Sequence, residues 1–542
     1  MAPLPPSPTT DSWWKHGVVY QIYPRSFADS NGDGVGDLPG ITAKLPILAD
    51  LGVDALWLSP FYPSPQKDFG YDISDFDGID PLFGTQADFD ALLDEAHRRG
   101  LKILLDLVVN HTSDQHPWFV ESRSSKDNPK RDWYLWHPGV DGKAPNNWIA
   151  LFEMKSAWWK DEATGEFYLG TFTRHQPELN WRNPEVRREI YAMMRRWLDR
   201  GVDGFRLDVV NWYIKDDQLR SNPWKVSLNP PDLQVHLWDR NQPGSHEICR
   251  EMRAVVEAYP GRMLVGEVYT DQAEIAASYY GKGDELQFAF NFAFLFSPWK
   301  ARAFFERTDQ WYRLLPWGAW PNQTLSNHDQ KRHITRYARG RETEARARVA
   351  AALLLLVRGT PFLYYGEEIG LPDRPMARHE IRDPKGLMLW PVLEGRDPCR
   401  TPMPWDGTPG AGFSLTQGAG QPWLPLHPDF PARNVEAQRA DPGSLWHWYR
   451  NLLALRKAEA ALHGGDLEWV QKGEGEVLAF TRSEGGRTLE VWLNFASRAR
   501  AVRTGGGRVL LGTHRSPGEP CPGDVRLAGL EVLVLEPGPG SP

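Results

Sequence analysis

Eight short apolar runs recur along the chain, separated by helical patterning, and this alternation restricts the fold more than any other feature. They fall at residues 18–23, 55–59, 102–109, 204–209, 263–268, 287–294, 324–327 and 361–365. Between them lie segments such as 88–99, where Phe89, Leu92, Leu93 and Ala96 repeat at i, i+3, i+4 and i+7, the stripe of a helix lying on a sheet. Strand–helix alternation makes parallel β/α units, and eight units imply a closed (β/α)8 TIM barrel. Polar side chains at the C-terminal ends of such strands face one mouth, where the chemistry of barrel enzymes is done.

Two connections break the rhythm. After the third run the chain travels from 110 to about 176 through a stretch rich in Trp, Pro, Asn and Lys, which predicts a small inserted domain leaning over the mouth. A second irregular stretch, 370–442, follows the eighth run on the same side. Past the helical pattern at 445–462, strands separated by Gly-rich turns (477–482, 489–495, 509–511, 530–535) predict a C-terminal antiparallel β domain. The expected division is barrel 1–109, inserted lid 110–177, barrel 178–464 and β domain 465–542.

With 41% hydrophobic and 24% charged residues among 542, the composition is that of an ordinary soluble protein. The longest apolar run, 349–357, falls well short of the roughly 18 residues of a membrane span. The formal net charge of -8 is spread without blocks, so nothing marks nucleic acid or anionic lipid as partners, and small neutral ligands are expected. Cys249, Cys399 and Cys521 are too few and scattered for a disulfide framework, and the Pro- and Ser-rich start lacks the apolar stretch of a signal peptide. A cytoplasmic monomer or weak homo-oligomer is expected. The 25 Trp suit core packing first and stacking on sugar rings second.

Four strand ends carry chemistry. In Gly204-Phe205-Arg206-Leu207-Asp208-Val209, Arg206 and Asp208 lie two residues apart and so point to one side of a strand, where the guanidinium would keep the carboxylate ionised. Glu267 ends an apolar run that should raise its pKa and keep it protonated near neutrality. Asp106 to His111 ends the third strand, and Ser326-Asn327-His328-Asp329 the seventh. One ionised and one protonated carboxyl group are the equipment of a glycosidase. Any one of these residues alone is more often a cap or an ion-pair partner. Their convergence on a single mouth would leave a large desolvation cost unexplained if they were structural.

These segments, DLVVNH at 106–111, GFRLDVV at 204–210, GEVY around Glu267, NHD at 327–329 and QPELN at 176–180, resemble the α-amylase family of glycoside hydrolases, family 13, in its α-glucosidase and oligo-1,6-glucosidase branch. The likeness runs from about Trp14 to the end. It implies that Asp208 is the nucleophile of a retaining mechanism, Glu267 the acid and later the base, and Asp329 a stabiliser of the transition state. It further implies that Arg206 orients Asp208 and that His111 and His328 bind ring hydroxyls. Asp106 would stand behind them, out of reach of the sugar. By the same likeness, Asp68 and Arg396 pair to close the pocket around one glucosyl unit, Tyr71 stacks beneath the ring, and Phe152, Phe172 and Gln176 belong to the wall. Closure means exo-action on short oligosaccharides. Val209, directly after the nucleophile, is similar to enzymes that accept α-1,6 links.

The run Asp29-Ser30-Asn31-Gly32-Asp33-Gly34-Val35-Gly36-Asp37 alternates oxygen donors as a calcium loop does, with Gly at the sixth place and a backbone carbonyl expected from Val35. Structural Ca²⁺, with Mg²⁺ as the alternative, is expected on Asp29, Asn31, Asp33, Val35 and Asp37. An empty Asx-turn is the less favoured alternative. Asn211-Trp212 stands where α-amylases often carry Lys-His, which argues against starch. Two other readings stay open: a transglucosylase or sucrose isomerase on the same residues, although the Arg-Leu-Asp-Arg-Asp run of sucrose isomerases is absent, and a non-catalytic transporter-associated barrel.

Overall fold

The computed structural model describes residues 12–227, 233–270, 272–416 and 420–538. The N-terminal Pro- and Ser-rich segment lies outside them. Eight parallel strands, β1 (Val19–Ile22), β2 (Ala55–Leu58), β3 (Lys102–Leu107), β4 (Gly204–Leu207), β5 (Met263–Gly266), β6 (Phe288–Ala289), β7 (Asn322–Thr324) and β8 (Thr360–Tyr364), form one sheet in the order β7-β8-β1-β2-β3-β4-β5-β6. Sequence neighbours are spatial neighbours throughout, the order of a closed (β/α)8 barrel. Across the β6–β7 seam the Asn291 side-chain amide donates to Gln323 Oε1 at 3.3 Å. Inward-facing Val19, Trp57, Leu104, Val265, Phe288 and Phe362 pack together in the interior.

Two strands differ from the sequence expectation. The apolar run at 287–294 is strand only at Phe288–Ala289; Asn291 Oδ1 then accepts the Phe294 N–H at 3.0 Å and starts the helical turn Phe292–Leu295. An Asn side chain that caps a helix competes with the ladder, and hydrophobicity alone does not register it. The seventh strand lies at Asn322–Thr324, upstream of the expected 324–327. The helix Gln86–Arg98 matches its stripe, burying Phe89, Leu92, Leu93 and Ala96, and Thr85 with Asp88 forms a capping box at its start.

Between β3 and β4 the chain builds a three-stranded antiparallel sheet (Trp136–His137, Trp158–Lys160, Phe167–Leu169) around Trp148, Trp158 and Leu169. At the other end come β9 (Asp466–Lys472), β10 (Val477–Glu484), β11 (Arg487–Asn494), β12 (Arg500–Arg503), β13 (Gly507–Gly512), β14 (Pro520–Cys521), β15 (Asp524–Leu527) and β16 (Val532–Glu536). They form a sheet of order β9-β10-β11-β16-β13-β14 and a β12–β15 pair. The helix Thr343–Leu356 is buried nearly all round, which accounts for the longest apolar run in the chain. Its last carbonyls accept from two buried guanidiniums: Arg456 reaches Leu355 O at 2.8 Å and Arg482 of β10 reaches Leu356 O at 2.7 Å. Cations at a helix C-terminus satisfy otherwise orphaned carbonyls, and here they also join barrel and β domain. No helix among the described residues is long and apolar enough to cross a membrane.

Candidate active site

Register creates the centre of the site. Asp106 of β3 stands opposite Arg206 of β4, and Arg206 opposite Val265 of β5. Residues in one row of a parallel sheet face the same side, so carboxylate and guanidinium meet inside the barrel. The ladder continues one step past the strands: the Asp208 N–H donates to Leu107 O at 3.1 Å and the Glu267 N–H to Leu207 O at 2.8 Å. These bonds hold the two carboxyl-bearing residues on strand-like tracks at the mouth.

Arg206 Nη1 donates to Asp106 Oδ1 at 2.7 Å and Asp208 Oδ1 at 2.8 Å, and its Nη2 donates to Glu267 Oε2. A single guanidinium therefore brings Asp208 and Glu267 to facing positions. The second oxygen of Asp106 accepts from Trp57 Nε1 at 3.2 Å and the Tyr71 hydroxyl at 3.0 Å, so this carboxylate is fully engaged beneath the site. Burial lifts Glu267 to about 8 and Asp208 to about 7, against the pull of Arg206, and lifts Asp106 to about 6. Sequence reasoning expected Arg206 to keep Asp208 simply ionised. In the structure the same cation is shared among three carboxyl groups, and their mutual repulsion adds to burial. Near neutrality the Asp208–Glu267 pair holds about one proton, with Glu267 the stronger holder.

Asp329 has the opposite environment. Burial would raise it, yet the His328 ring and the guanidiniums of Arg396 and Arg400 hold it well below the usual carboxylate range. Arg400 Nη2 approaches it at 2.8 Å and Arg396 Nη1 at 3.4 Å. Arg396 also pairs with Asp68 at 2.6 Å and with Asp383 at 2.7 Å, and its guanidinium lies 4.7 Å from the Phe152 ring centre. Arg396 thus bridges the loop after β2, the segment after β7 and the irregular stretch after β8 at the cavity wall.

The Gln176 amide donates to Asp68 Oδ2 at 3.1 Å and to Tyr71 O at 3.2 Å, and His111 Nε2 lies 2.9 Å from the same carbonyl. Burial pushes His111 below its ordinary value, so the ring is neutral. The cavity, about 580 Å³, is lined by Asp68, Tyr71, His111, Phe152, Phe172, Gln176, Asp208, Val209, Glu267, Asp329 and Arg396 from the sequence-derived set. Arg206 lies beneath it. His328 is not among the residues that line the cavity, but it adjoins two that are: its ring stacks on Tyr71 at 5.3 Å, Nε2 is 2.5 Å from the Tyr71 hydroxyl and 3.1 Å from Asp329 Oδ2, and Nδ1 is 2.7 Å from the Gln21 amide nitrogen.

Val209 adopts φ 38, ψ 49, a left-handed conformation that a β-branched side chain adopts at a cost of about 1–3 kcal/mol. Its side chain packs on Phe172 and Trp212. Sequence reasoning did not single out Asp383 and Arg400, which brace Arg396 and Asp329. The one available signal was a cluster of charges, Arg396-Asp397 and Arg400, inside an irregular stretch. It also missed Trp212, Tyr269, Phe292, Phe296 and Lys385 on the cavity wall, because pattern reading does not distinguish lining aromatics from core ones.

The Asp29–Asp37 loop folds on its own donors. Asp29 accepts from the N–H groups of Asn31, Gly32 and Gly34, and Asp37 Oδ2 accepts from the Ser30 N–H and hydroxyl. Asp37 Oδ1 caps the helix Leu38–Leu51 through the Gly40 N–H. Among the described residues no three His, Cys, Asp or Glu side chains are gathered as a metal site. The donor set, all oxygen, matches a hard cation in type. Burial and the charge of Asp29 push the Asp37 carboxyl up, a repulsion that a cation would relieve.

A barrel mouth at which one guanidinium holds two carboxyl groups beside a cavity fits a glycoside-cleaving enzyme, and the relatives of the chain show that class. The model of the α-amylase catalytic domain matches residues 21–465. A probable α-glucosidase of Rhizobium meliloti is 45% identical, covering 90% of each chain, and an oligo-1,6-glucosidase of Parageobacillus thermoglucosidasius is 41% identical, covering 91% of this chain and 92% of its own. Among solved structures, the α-glucosyl transfer enzyme XgtA superposes with a TM-score of 0.90 at 41% identity, over 97% of this chain and 99% of that one. The trehalulose synthase MutB gives 0.87 at 33%, over 96% and 99%. The chain belongs to the α-amylase family, glycoside hydrolase family 13.

Proposed function

We propose that the protein is a retaining, exo-acting α-glucosidase that removes terminal non-reducing glucose from short oligosaccharides, α-1,6-linked in preference to α-1,4-linked. The observation that carries this reading is the shared grip of Arg206 on Asp208 and Glu267 at a cavity whose lining includes the Asp68–Arg396 pair, which we take to close the pocket behind one glucosyl unit. Asp208 attacks the anomeric carbon and forms a β-glucosyl ester while Glu267 gives its proton to the departing oxygen. Water then donates a proton back to Glu267 and displaces Asp208, restoring the α configuration. Asp329, held ionised by Arg396 and Arg400, takes sugar hydroxyls and favours the positive charge that develops at the ring. Tyr71, kept a neutral phenol by burial, offers its face to the glucose, and His111 and Gln176 offer polar atoms beside it.

The names of the relatives support this substrate class. A second reading, glucosyl transfer to a sugar acceptor or isomerisation of sucrose, in which something other than water takes up the glucosyl group, is favoured by the likeness to the α-glucosyl transfer enzyme XgtA and the trehalulose synthase MutB. A non-catalytic barrel is disfavoured by the intact trio Asp208, Glu267 and Asp329. Proton NMR of the reaction with isomaltose, maltose and sucrose tests all three. Release of α-glucose, fastest from isomaltose, is expected. First-formed β-glucose would overturn retention, and isomaltulose or trehalulose from sucrose would favour the second reading.

We further propose that the Asp29–Asp37 loop takes structural Ca²⁺, or Mg²⁺ in its place. Chelation followed by Ca²⁺ addition should lower and then restore the melting temperature without changing kcat at low temperature; a melting curve indifferent to both treatments would leave the loop an Asx-turn. The buried free thiols of Cys249, Cys399 and Cys521 support a reducing compartment such as the cytoplasm.

A further inference from the structure

Lys215 and Glu178 form an ion pair at 2.6 Å with each side chain 1% exposed, and neither is among the residues that line the cavity. The pair connects the end of the insertion to the segment that follows the nucleophile strand. Lys215 Nζ also donates to Trp212 O at 2.5 Å, the last residue of the helical turn Val210–Trp212 that begins directly after the left-handed Val209. Glu178 Oε1 accepts from the Thr171 N–H at 3.2 Å, next to Phe172. Through one cation, then, the last carbonyl of the turn that follows Asp208 is tied to the loop that carries Phe172. Phe172, Val209 and Trp212 form one apolar cluster at that wall.

Two ions withdrawn from water gain little stability over an apolar pair of the same volume, so cohesion alone does not account for them. A strained backbone persists only where its surroundings over-determine it. We infer that Lys215 and Glu178 are positioning residues: their pair holds the strained turn at Val209, keeps the Asp208 carboxyl aimed at the anomeric carbon and fixes the wall formed by Phe172. Neither touches the sugar. This role rests on the α-glucosidase reading.

The test compares Lys215→Met, Glu178→Gln, the double variant and Glu178→Asp on isomaltose and 4-nitrophenyl α-glucoside. Rates are normalised to sites titrated with an α-glucose-configured epoxide that esterifies the nucleophile. Each single variant should lose at least about tenfold in kcat per titrated site with KM within about threefold. The double variant should be no worse than the weaker single, and Glu178→Asp should recover part of the loss. If Lys215→Met does not fold, Lys215→Arg, which keeps the charge and displaces the donor, should show an intermediate kcat. Unchanged kcat per titrated site with fewer active molecules would mean ordinary packing and overturn the proposal. Multiplicative losses in the double variant would overturn it as well. A wild-type protein inert toward every α-glucoside would instead refute the activity on which the role depends.

Discussion

At the scale of single residues, the site separates carboxyl groups by their surroundings. Glu267 and Asp208 are raised by burial, and Asp329 is held down by two guanidiniums. The proposed mechanism needs Glu267 protonated, so activity should be lost as pH rises through about 8. It needs Asp208 ionised, so activity is lost as pH falls through about 7. A bell-shaped kcat/KM profile with a narrow maximum near neutral to weakly alkaline pH is expected. Glu267→Gln should remove the alkaline limb and cost roughly 10²–10⁴ in turnover of isomaltose, while α-glucosyl fluoride, whose leaving group needs no proton, should keep most of its rate of ester formation. A variant that loses both substrates equally would assign Glu267 another task. Val209→Ala or Val209→Thr should shift the isomaltose to maltose ratio toward maltose, by up to roughly 10-fold for Ala, the low end of the about 1–3 kcal/mol that a methyl or two is worth in a pocket. Kinetics on both disaccharides check this, and an unmoved ratio would detach linkage choice from this side chain.

At the scale of elements, the strand that presents Arg206 depends on its first residue. Gly204 has φ +152, and a Cβ there would lie 2.2 Å from Met263 O. The approach of β4 to β5 is too close for any side chain at that point. Gly204→Ala should therefore push the two strands apart and lower both melting temperature and kcat, whereas Gly100→Ala, at a positive-φ glycine with nothing within 4 Å, should cost only the local backbone strain. Comparable losses in the two variants, by calorimetry and steady-state kinetics, would refute the argument from close approach. Legibility in the sequence also divides at this scale. The run 55–59 reads as a strand because β2 is apolar on both faces and ends in Ser59, while 287–294 reads as one strand and is not, because Asn291 caps a helical turn with its own side chain. Among candidate functional positions, Asp208 and Glu267 are visible as carboxyls at the ends of apolar strands and Asp329 by the Asn327-His328-Asp329 segment. Asp383 and Arg400 are not, since an irregular stretch has no period from which to read where a side chain points.

At the scale of the whole molecule, the active site weakens the fold that holds it. A carboxyl whose folded pKa lies above its unfolded value binds a proton in the native state that the unfolded chain has released, so stability falls as pH rises between the two values. For Glu267 that window runs from the ordinary glutamate range up to about 8. Melting temperature should therefore rise as pH is lowered from about 8 to about 6.5, above the range in which buried neutral histidines such as His111 and His116 act with the opposite sign, and Glu267→Gln should flatten that slope and stabilise the protein above neutrality. A wild-type melting temperature that climbs with pH across the same window would contradict the burial of these groups. Asp329 acts with the opposite sign, and its contribution is lost only as pH falls below the unfolded carboxylate range.

The sequence by itself determined the class of fold and brought forward the candidate reacting groups, because strand and helix periods are local and a carboxyl at the end of an apolar run is a local anomaly. How one guanidinium is shared among three carboxyl groups, which cations brace Asp329, and which segment the end of the insertion meets were decided only in three dimensions. Those properties depend on Arg206, Arg396 and Lys215 meeting partners from distant parts of the chain, and electrostatic energy follows distance through space, of which spacing along the chain keeps no record.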